Sequence, residues 1–339
     1  MRALLAALGD PQRRYPAIHV VGTNGKTSTT LQCAALLRAE GLRVGAYTSP
    51  HVRGWDERIQ VDGAPADLGR ALARVRPLAA GATQFEVLTA AAFAELAARQ
   101  VDVAVVEAGL GGRLDATNVL AARIVVLTNI ALEHTEVLGT TREVIAAEKL
   151  AVIAPGATVV LGEPDWEQPA RERGASRVEL VSGSNLALAV AAAEAFLGRA
   201  VDPRPAEVLH IPGRLERRRE RPLELWDGAH NLAGVGYLLP RLPSRRFTIV
   251  VSILADKDAD AMLAALSAVG ETLVATSSSS PRALPAAELA ARARRHFARV
   301  EVVPAPAEAL ATARRLAGPA GAVLVTGSLY LLADLSAAA

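Results

Sequence analysis

Val20-Val21-Gly22-Thr23-Asn24-Gly25-Lys26-Thr27-Ser28-Thr29 is the stretch on which the reading of this chain turns. It follows a β-branched run, Ala17–Val21, and opens a helical pattern, Ser28–Ala39. Two glycines and a lysine therefore sit at a strand-to-helix turn. There, glycines let backbone N–H groups face a phosphate, the helix N-terminus adds a favourable dipole, and a lysine reaches the β/γ oxygens. Gly22, Thr23, Asn24, Gly25, Lys26, Thr27 and Ser28 are the expected contacts to a nucleoside triphosphate, with Thr27 or Ser28 offering a hydroxyl to Mg²⁺. The Gly-x-x-Gly-Lys-Thr spacing is shorter than the usual phosphate loop.

Outward from this loop, short apolar runs alternate with alanine- and leucine-rich helical stretches. Arg43–Tyr47, Val101–Glu107 and Arg123–Leu127 read as further strands, and Phe85–Arg99, Arg142–Val152 and Asn185–Leu197 as helices. Such alternation is the mark of βαβ units around a mostly parallel, buried sheet. Prolines at 203, 205 and 212 then break the rhythm, and it restarts. Leu223–Trp226, Phe247–Val251, Thr272–Ala275, Arg299–Val303 and Ala322–Thr326 are the later strand candidates, with helices near Leu232–Leu239, Asp258–Ala268, Ala286–His296 and Pro306–Leu316. The expectation is two α/β domains, residues 1–217 and 218–339, joined near Arg217–Pro222.

Composition narrows the function classes. The 339 residues are 51% hydrophobic and 21% charged, which is ordinary globular usage. A net charge of +2 gives no footprint for nucleic acid, and Arg217-Arg218-Arg219 is flanked by Glu216 and Glu220. One cysteine, Cys33, excludes an intramolecular disulfide framework and suits a reducing compartment. No run approaches the roughly 18 apolar residues of a membrane span, and the apolar N-terminus is cut short by Gly9-Asp10-Pro11. A soluble, cytoplasmic protein is expected. Of 37 basic residues only three are lysine, Lys26, Lys149 and Lys257, leaving 34 arginines. Lysine is thus expected where a compact ammonium, or a nitrogen able to lose its proton, is required.

Further along, Glu107 ends an apolar run and puts a carboxylate at the C-terminal end of a buried strand, where ligands bind in doubly wound sheets and where Mg²⁺ finds hard oxygens. Ser49 follows the strand Arg43–Tyr47 in the same way. His134 lies beyond the strand Arg123–Leu127, and Lys149 falls within the helix Arg142–Val152.

Gly-Thr-Asn-Gly-Lys resembles the loop of the Mur-type ligases, and the text that follows resembles the folylpolyglutamate synthase/dihydrofolate synthase family. Thr48-Ser49-Pro50-His51 with Asp56-Glu57-Arg58-Ile59, Phe85–Ala90, Glu107–Asn118, Thr128-Asn129-Ile130, Glu133-His134-Thr135 and Glu148-Lys149 carry the likeness. Pro212-Gly213-Arg214, Asp227–Asn231, Asp256-Lys257-Asp258 and Gly327–Tyr330 continue it, from about Leu5 to Leu335. The resemblance implies an N-terminal P-loop-type ATPase domain and a smaller Rossmann-like C-terminal domain that closes on ATP and binds glutamate. It implies that Asn185, Arg214, Asp227 and His230 join the loop on ATP, and that Lys26, Glu107, His134 and Lys149 are catalytic. Ser49, Glu107, His134 and Lys149 become metal ligands, with two Mg²⁺ sites, Lys149 carbamylated by CO₂, and a monovalent cation as a further ion. Phe85, Leu114, Asp115 and Ala116 border the pterin or folate, and Ser328 is a candidate for glutamate. Lys257 lies in a family motif without an assigned role.

The implied reaction is ATP-driven amide formation: a carboxylate of dihydropteroate or a reduced folate attacks the γ-phosphate, and L-glutamate attacks the acyl phosphate. A monomer without nucleic-acid or membrane partners is expected. The family pattern has a longer segment before Gly9-Asp10-Pro11, so either an upstream start or a weak or absent dihydrofolate synthase activity is expected. The span from Gly162 to Asn185 is also short, Thr27 stands where glycine is common, and Leu232 stands where proline is usual. Two rivals are a Mur-type ligase acting on another carboxylate, disfavoured by the Gly109–Asn118 loop, and a truncated paralogue that binds nucleotide or folate without turnover.

Overall fold

Runs such as Ala17–Val21 and Val103–Glu107 are buried at every position, so they require a sheet covered on both faces. The computed structural model describes residues 1–338 and provides that sheet. Its strands are β1 (Ala17–Val21), β2 (Val44–Tyr47), β3 (Ile59–Val61), β4 (Ala64–Pro65), β5 (Val103–Glu107), β6 (Ile124–Leu127), β7 (Thr158–Leu161) and β8 (Arg177–Leu180). The order is β4-β3-β2-β5-β1-β6-β7-β8, with β3 and β4 antiparallel at one edge and the remaining six strands parallel. β1 lies between β5 and β6, so the loops leaving the C-terminal ends of these three strands gather at one place.

A second sheet contains β9 (Glu216–Glu220), β10 (Leu223–Trp226), β11 (Thr248–Val251), β12 (Thr272–Ala275), β13 (Arg299–Val302) and β14 (Ala322–Thr326), in the order β13-β12-β11-β14-β10-β9. Five of these strands are parallel and β9 is antiparallel. Each sheet has its own apolar core, one around Phe93, Leu127 and Ile145, the other around Ile249, Leu263 and Leu273. No helix among the described residues is long and apolar enough to cross a membrane.

The chain divides into two compact units, residues 1–50 with 55–209, and residues 51–54 with 210–339. The division thus falls between Leu209 and His210 rather than between Arg217 and Arg218, a cut that would run through β9. The arginine run is a strand because Glu216–Glu220 pairs with Leu223–Trp226 in a hairpin. As the sheet's edge it tolerates charge on its exposed positions. The short segment His51–Gly54 belongs to the second unit, where Val52 is buried in the cluster of Trp226 and Leu332. The expected helix Arg142–Val152 is α-helical to Lys149 and then tightens into a 3₁₀ turn, Leu150–Val152.

Candidate active site

The glycine loop after β1 is held by the strand end beside it. Thr23 N–H donates to the Asn129 carbonyl at 2.9 Å and Asn24 N–H to Asn129 Oδ1 at 3.0 Å, while Thr128 Oγ1 donates to the Asn24 carbonyl at 2.7 Å. Gly25 has φ +83°, and a Cβ there would overlap the Asn185 side-chain oxygen. The position therefore needs glycine both for its left-handed backbone and for the approach of Asn185. The helix Lys26–Ala39 starts directly after it.

Two lysines converge on this loop. Lys26 Nζ donates to the Gly22 and Thr23 carbonyls at 3.1 and 3.0 Å, and Lys149 Nζ donates to the same Gly22 carbonyl at 2.7 Å. Lys149 is only 4% exposed. Burial first, and then the positive charge of Lys26, pull its ammonium down to about 7. Glu107, 2% exposed at the end of β5, accepts the Thr27 hydroxyl at 3.0 Å on either carboxylate oxygen and the Ser49 N–H at 3.1 Å. Thr27, Ser49 and Glu107 are thus brought together by three different segments.

His134 precedes the helix Thr135–Leu138 with φ +49°, and its Nε2 lies 3.8 Å from Glu133. Among the described residues, no three His, Cys, Asp or Glu side chains gather in a metal-holding group. The structure brings Thr27, Ser49 and Glu107 together and sets His134 beside Glu133. The donors at hand are hard oxygens around a buried carboxylate, which fit Mg²⁺.

The glycine-rich segment after β5 packs onto the same helix end. Arg113 N–H donates to the Glu148 carbonyl at 3.0 Å and its Nε to Glu148 Oε2 at 3.0 Å. A Cβ on Gly112 would lie 2.6 Å from the Glu148 carbonyl, so only glycine permits this approach. The segment brings Asp115 beside Phe85: a Cβ on Gly109 would stand 2.5 Å from the Phe85 ring and 3.0 Å from Asp115 Oδ2. Tyr47 lies behind Phe85 with ring centroids 6.3 Å apart. Leu114 is 91% exposed next to the half-buried Asp115, whereas Ala116 is buried.

Within the second unit, Arg214, Asp227 and His230 gather around one turn. Asp227 accepts the Leu215 and Ala229 N–H groups at 2.8 and 2.9 Å, and burial raises its pKa against the opposing pull of Arg214. The His230 Nδ1 faces the Gly228 carbonyl at 2.8 Å, which places its proton on that nitrogen. A Cβ on Gly228 would stand 2.6 Å from Arg214 Nη1. Ser328 caps the helix Leu329–Ala337, its hydroxyl oxygen accepting the Tyr330 N–H at 3.1 Å. Lys257 is nearly covered and pairs with Asp256 at 3.3 Å. Sequence reading missed His19 and Thr117. Both are fully buried, and the ring Nε2 lies 2.8 Å from the Thr117 hydroxyl, which reaches Asp115 at 2.5 Å. A polar residue inside the run Ala17–Val21 was the one available signal.

This geometry has counterparts among known proteins. Residues 20–160 match the family model of the Mur ligase middle domain, and residues 213–329 that of the Mur ligase glutamate ligase domain. The fold and the loop are those of a Mur-type ligase. A dihydrofolate synthase/folylpolyglutamate synthase of Mycobacterium tuberculosis is 36% identical, over 87% of this chain and 77% of its own. The solved structure of Mycobacterium tuberculosis folylpolyglutamate synthase complexed with ADP matches with a TM-score of 0.91 and 34% identity, covering 99% of this chain and 93% of that one. A bifunctional folylpolyglutamate synthase/dihydrofolate synthase from Yersinia pestis, complexed with AMPPNP and a Mn ion, matches with a TM-score of 0.89 and 29% identity, covering 99% and 91%. The chain belongs to the folylpolyglutamate synthase/dihydrofolate synthase family.

Proposed function

We propose that this chain joins L-glutamate to the carboxylate of dihydropteroate, of a reduced folate, or of both, using ATP and an acyl-phosphate intermediate. The observation that carries this reading is the convergence at the ends of β1 and β5. There the Lys26 ammonium lies along the glycine loop, and the buried Glu107 carboxylate holds the Thr27 hydroxyl and the Ser49 N–H. The loop amides and Lys26 bind the triphosphate and stabilise charge that builds on the transferred phosphoryl group. Asn185, packed against Gly25, keeps the loop in its binding shape and meets the nucleotide. Arg214, Asp227 and His230, gathered around one turn of the second unit, are the further nucleotide contacts that this reading assigns, as a cation, a carboxylate and an oriented imidazole.

Thr27, Ser49, Glu107, His134 and Lys149 would hold Mg²⁺, which when bound neutralises the phosphate oxygens. Lys149 suits carbamylation. Its lowered pKa of about 7 leaves a substantial fraction of neutral amine near neutral pH. The Nζ lone pair then bonds to the carbon of CO₂, a proton leaves, and the product is an anionic oxygen donor. The relatives named above hold ADP, or AMPPNP with Mn, which supports assigning nucleotide and divalent ion to this chain.

On this reading, Phe85 stacks on the pteridine ring and Asp115 accepts a hydrogen bond from its amino edge, with Leu114 and Ala116 beside them. The acyl phosphate is attacked by the amine of glutamate, for which Ser328 is the candidate contact, and inorganic phosphate leaves. Phosphate release from ATP and L-glutamate, measured separately with dihydropteroate and with tetrahydrofolate, tests the reading. Release with one acceptor defines the activity, and release with both makes the enzyme bifunctional. Release with neither refutes it. Replacing K⁺ in the same assay tests the monovalent-cation requirement.

A further inference from the structure

Asp115 is held from behind by a buried chain of hydrogen bonds that reaches the central strand. Its Oδ1 accepts the Thr117 N–H at 2.9 Å and the Thr117 hydroxyl at 2.5 Å, and its Oδ2 accepts the Leu110 N–H at 2.8 Å. The Thr117 oxygen in turn lies 2.8 Å from His19 Nε2, and both residues are 0% exposed. His19 sits in β1, paired with Val106 of β5 and Val125 of β6, so its ring is fixed by the middle of the sheet.

The direction of each proton follows from the count of donors. Thr117 has one hydroxyl proton, and the ionised carboxylate can only accept, so that proton lies toward Asp115. The Thr117 oxygen then presents a lone pair to His19, and Nε2 must carry the ring proton. The other tautomer would set two lone pairs against each other at 2.8 Å. Burial lowers the His19 pKa to about 4, against a weaker upward pull from Asp115, so the ring is neutral and has one proton to give. Nδ1 is buried and has no hydrogen-bond partner among the described residues, as suits the nitrogen without a proton.

We propose that His19, acting through Thr117, is a positioning residue that fixes the rotamer of Asp115 and leaves one face of its Oδ2 open to the amino edge of the pteridine substrate. This rests on the reading of Asp115 as a pteridine contact. Oδ1 is occupied by two Thr117 donors, while Oδ2 carries one protein donor and lies on the side of Gly109 and Phe85. A carboxylate has about two acceptor sites per oxygen, so one site on Oδ2 remains for a ligand donor. Without the relay Oδ1 keeps only the Thr117 N–H and Oδ2 only the Leu110 N–H, so the carboxylate is held less firmly and Oδ1 opens to a competing donor. Affinity for the pteridine ring would fall while the nucleotide loop stayed intact.

The test is steady-state kinetics on the full chain with a pteridine-bearing acceptor, ATP and L-glutamate. Thr117→Val should raise KM for the acceptor about tenfold, as expected for losing one charge-assisted hydrogen bond, and leave KM for ATP unchanged. Thr117→Ser restores the hydroxyl and should restore the parent value. His19→Leu should behave like Thr117→Val, and is read only if its melting curve matches the parent's. The wild-type tautomer needs no substitution: ¹⁵N NMR should show a protonated Nε2 and a bare Nδ1 for His19. A bare Nε2 overturns the relay, as does a Thr117→Val effect that falls equally on ATP. Asp115→Asn separates the two layers. If it raises the acceptor KM while Thr117→Val does not, the relay is refuted and the Asp115 reading stands. If Asp115→Asn leaves the acceptor KM unchanged, both fall.

Discussion

The substitution Lys149→Met keeps most of the length and volume of the lysine stem and removes its charge. In the wild type, burial together with the nearby Lys26 charge lowers the Lys149 pKa from its ordinary 10.5 to about 7. That drop corresponds to a penalty of about 5 kcal/mol for holding the ammonium in the folded state. The sign follows from proton counting. Below pH 7 both folded and unfolded chains carry the proton, and the full penalty is felt. Between pH 7 and about 10 the unfolded chain binds the proton and the folded chain does not, so stability rises with pH. The pH-independent loss in the methionine variant is the hydrogen bond to the Gly22 carbonyl, about 1 kcal/mol. Lys149→Met should therefore be more stable than wild type at pH 6, and the gap should narrow by about 3 kcal/mol on going to pH 9. Urea denaturation of both proteins in CO₂-free buffer at the two pH values measures it, and turnover of the variant should be abolished. A stability difference that is the same at both pH values would mean that Lys149 keeps its proton in the folded chain across this range.

Other changes probe different parts of the account. Glu107→Gln keeps the shape of the buried side chain but removes its charge, so Mg²⁺-dependent nucleotide binding should weaken by about 10- to 100-fold while binding without the metal changes little; calorimetry with and without Mg²⁺ measures the difference. Gly25→Ala forces a side chain into the left-handed region, at a cost of about 1–2 kcal/mol, and drives its Cβ onto Asn185; ATP affinity in a fluorescence titration should fall with it. Glu224 is fully buried and accepts Arg314 at 2.6 and 3.0 Å and the Trp226 ring N–H at 2.8 Å. Arg314→Met, which leaves the buried Glu224 carboxylate without its cation, should cost about 3–5 kcal/mol in chemical denaturation.

The buried framework was readable because its residues carry one-dimensional signals. Ala17–Val21, Leu223–Trp226, Thr272–Ala275, Ala322–Thr326 and the helix Asn185–Leu197 begin and end where their apolar runs do. Strands buried on both faces show such runs, and the helix is stopped by Gly198 in the left-handed region. Two edge strands gave no such signal, although a third, β13 at Arg299–Val302, was legible. Arg217-Arg218-Arg219 looked like a linker because an edge strand takes its structure from its partner, here Leu223–Trp226, and carries charge on its open side. Arg177–Leu180, half-exposed at the other sheet's edge, was hidden for the same reason.

The candidate site divides along similar lines. Lys26 was legible as a candidate from the glycine loop between a strand and a helix, and Glu107 and Ser49 from their places at the C-terminal ends of strands, where the ligand crevice lies. The convergence of Lys149 on the Gly22 carbonyl joins residues 127 positions apart and shows only in the fold. His19 and Thr117 are separated by 98 positions, and within β1 the histidine is simply one polar residue in an apolar run. Its meaning lies in the direction of a proton, which no spacing rule encodes.

Transfer of oxygen from the acceptor carboxylate to phosphate is the step on which the acyl-phosphate route stands or falls. The acceptor is labelled with ¹⁸O in its reactive carboxylate and turned over with ATP and L-glutamate, and the released phosphate is analysed by mass spectrometry. Attack of the carboxylate on the γ-phosphate predicts one ¹⁸O in each phosphate released, matched by one new amide bond. Unlabelled phosphate accompanying amide formation would contradict the acyl-phosphate route, and with it the role assigned to the loop and Lys26.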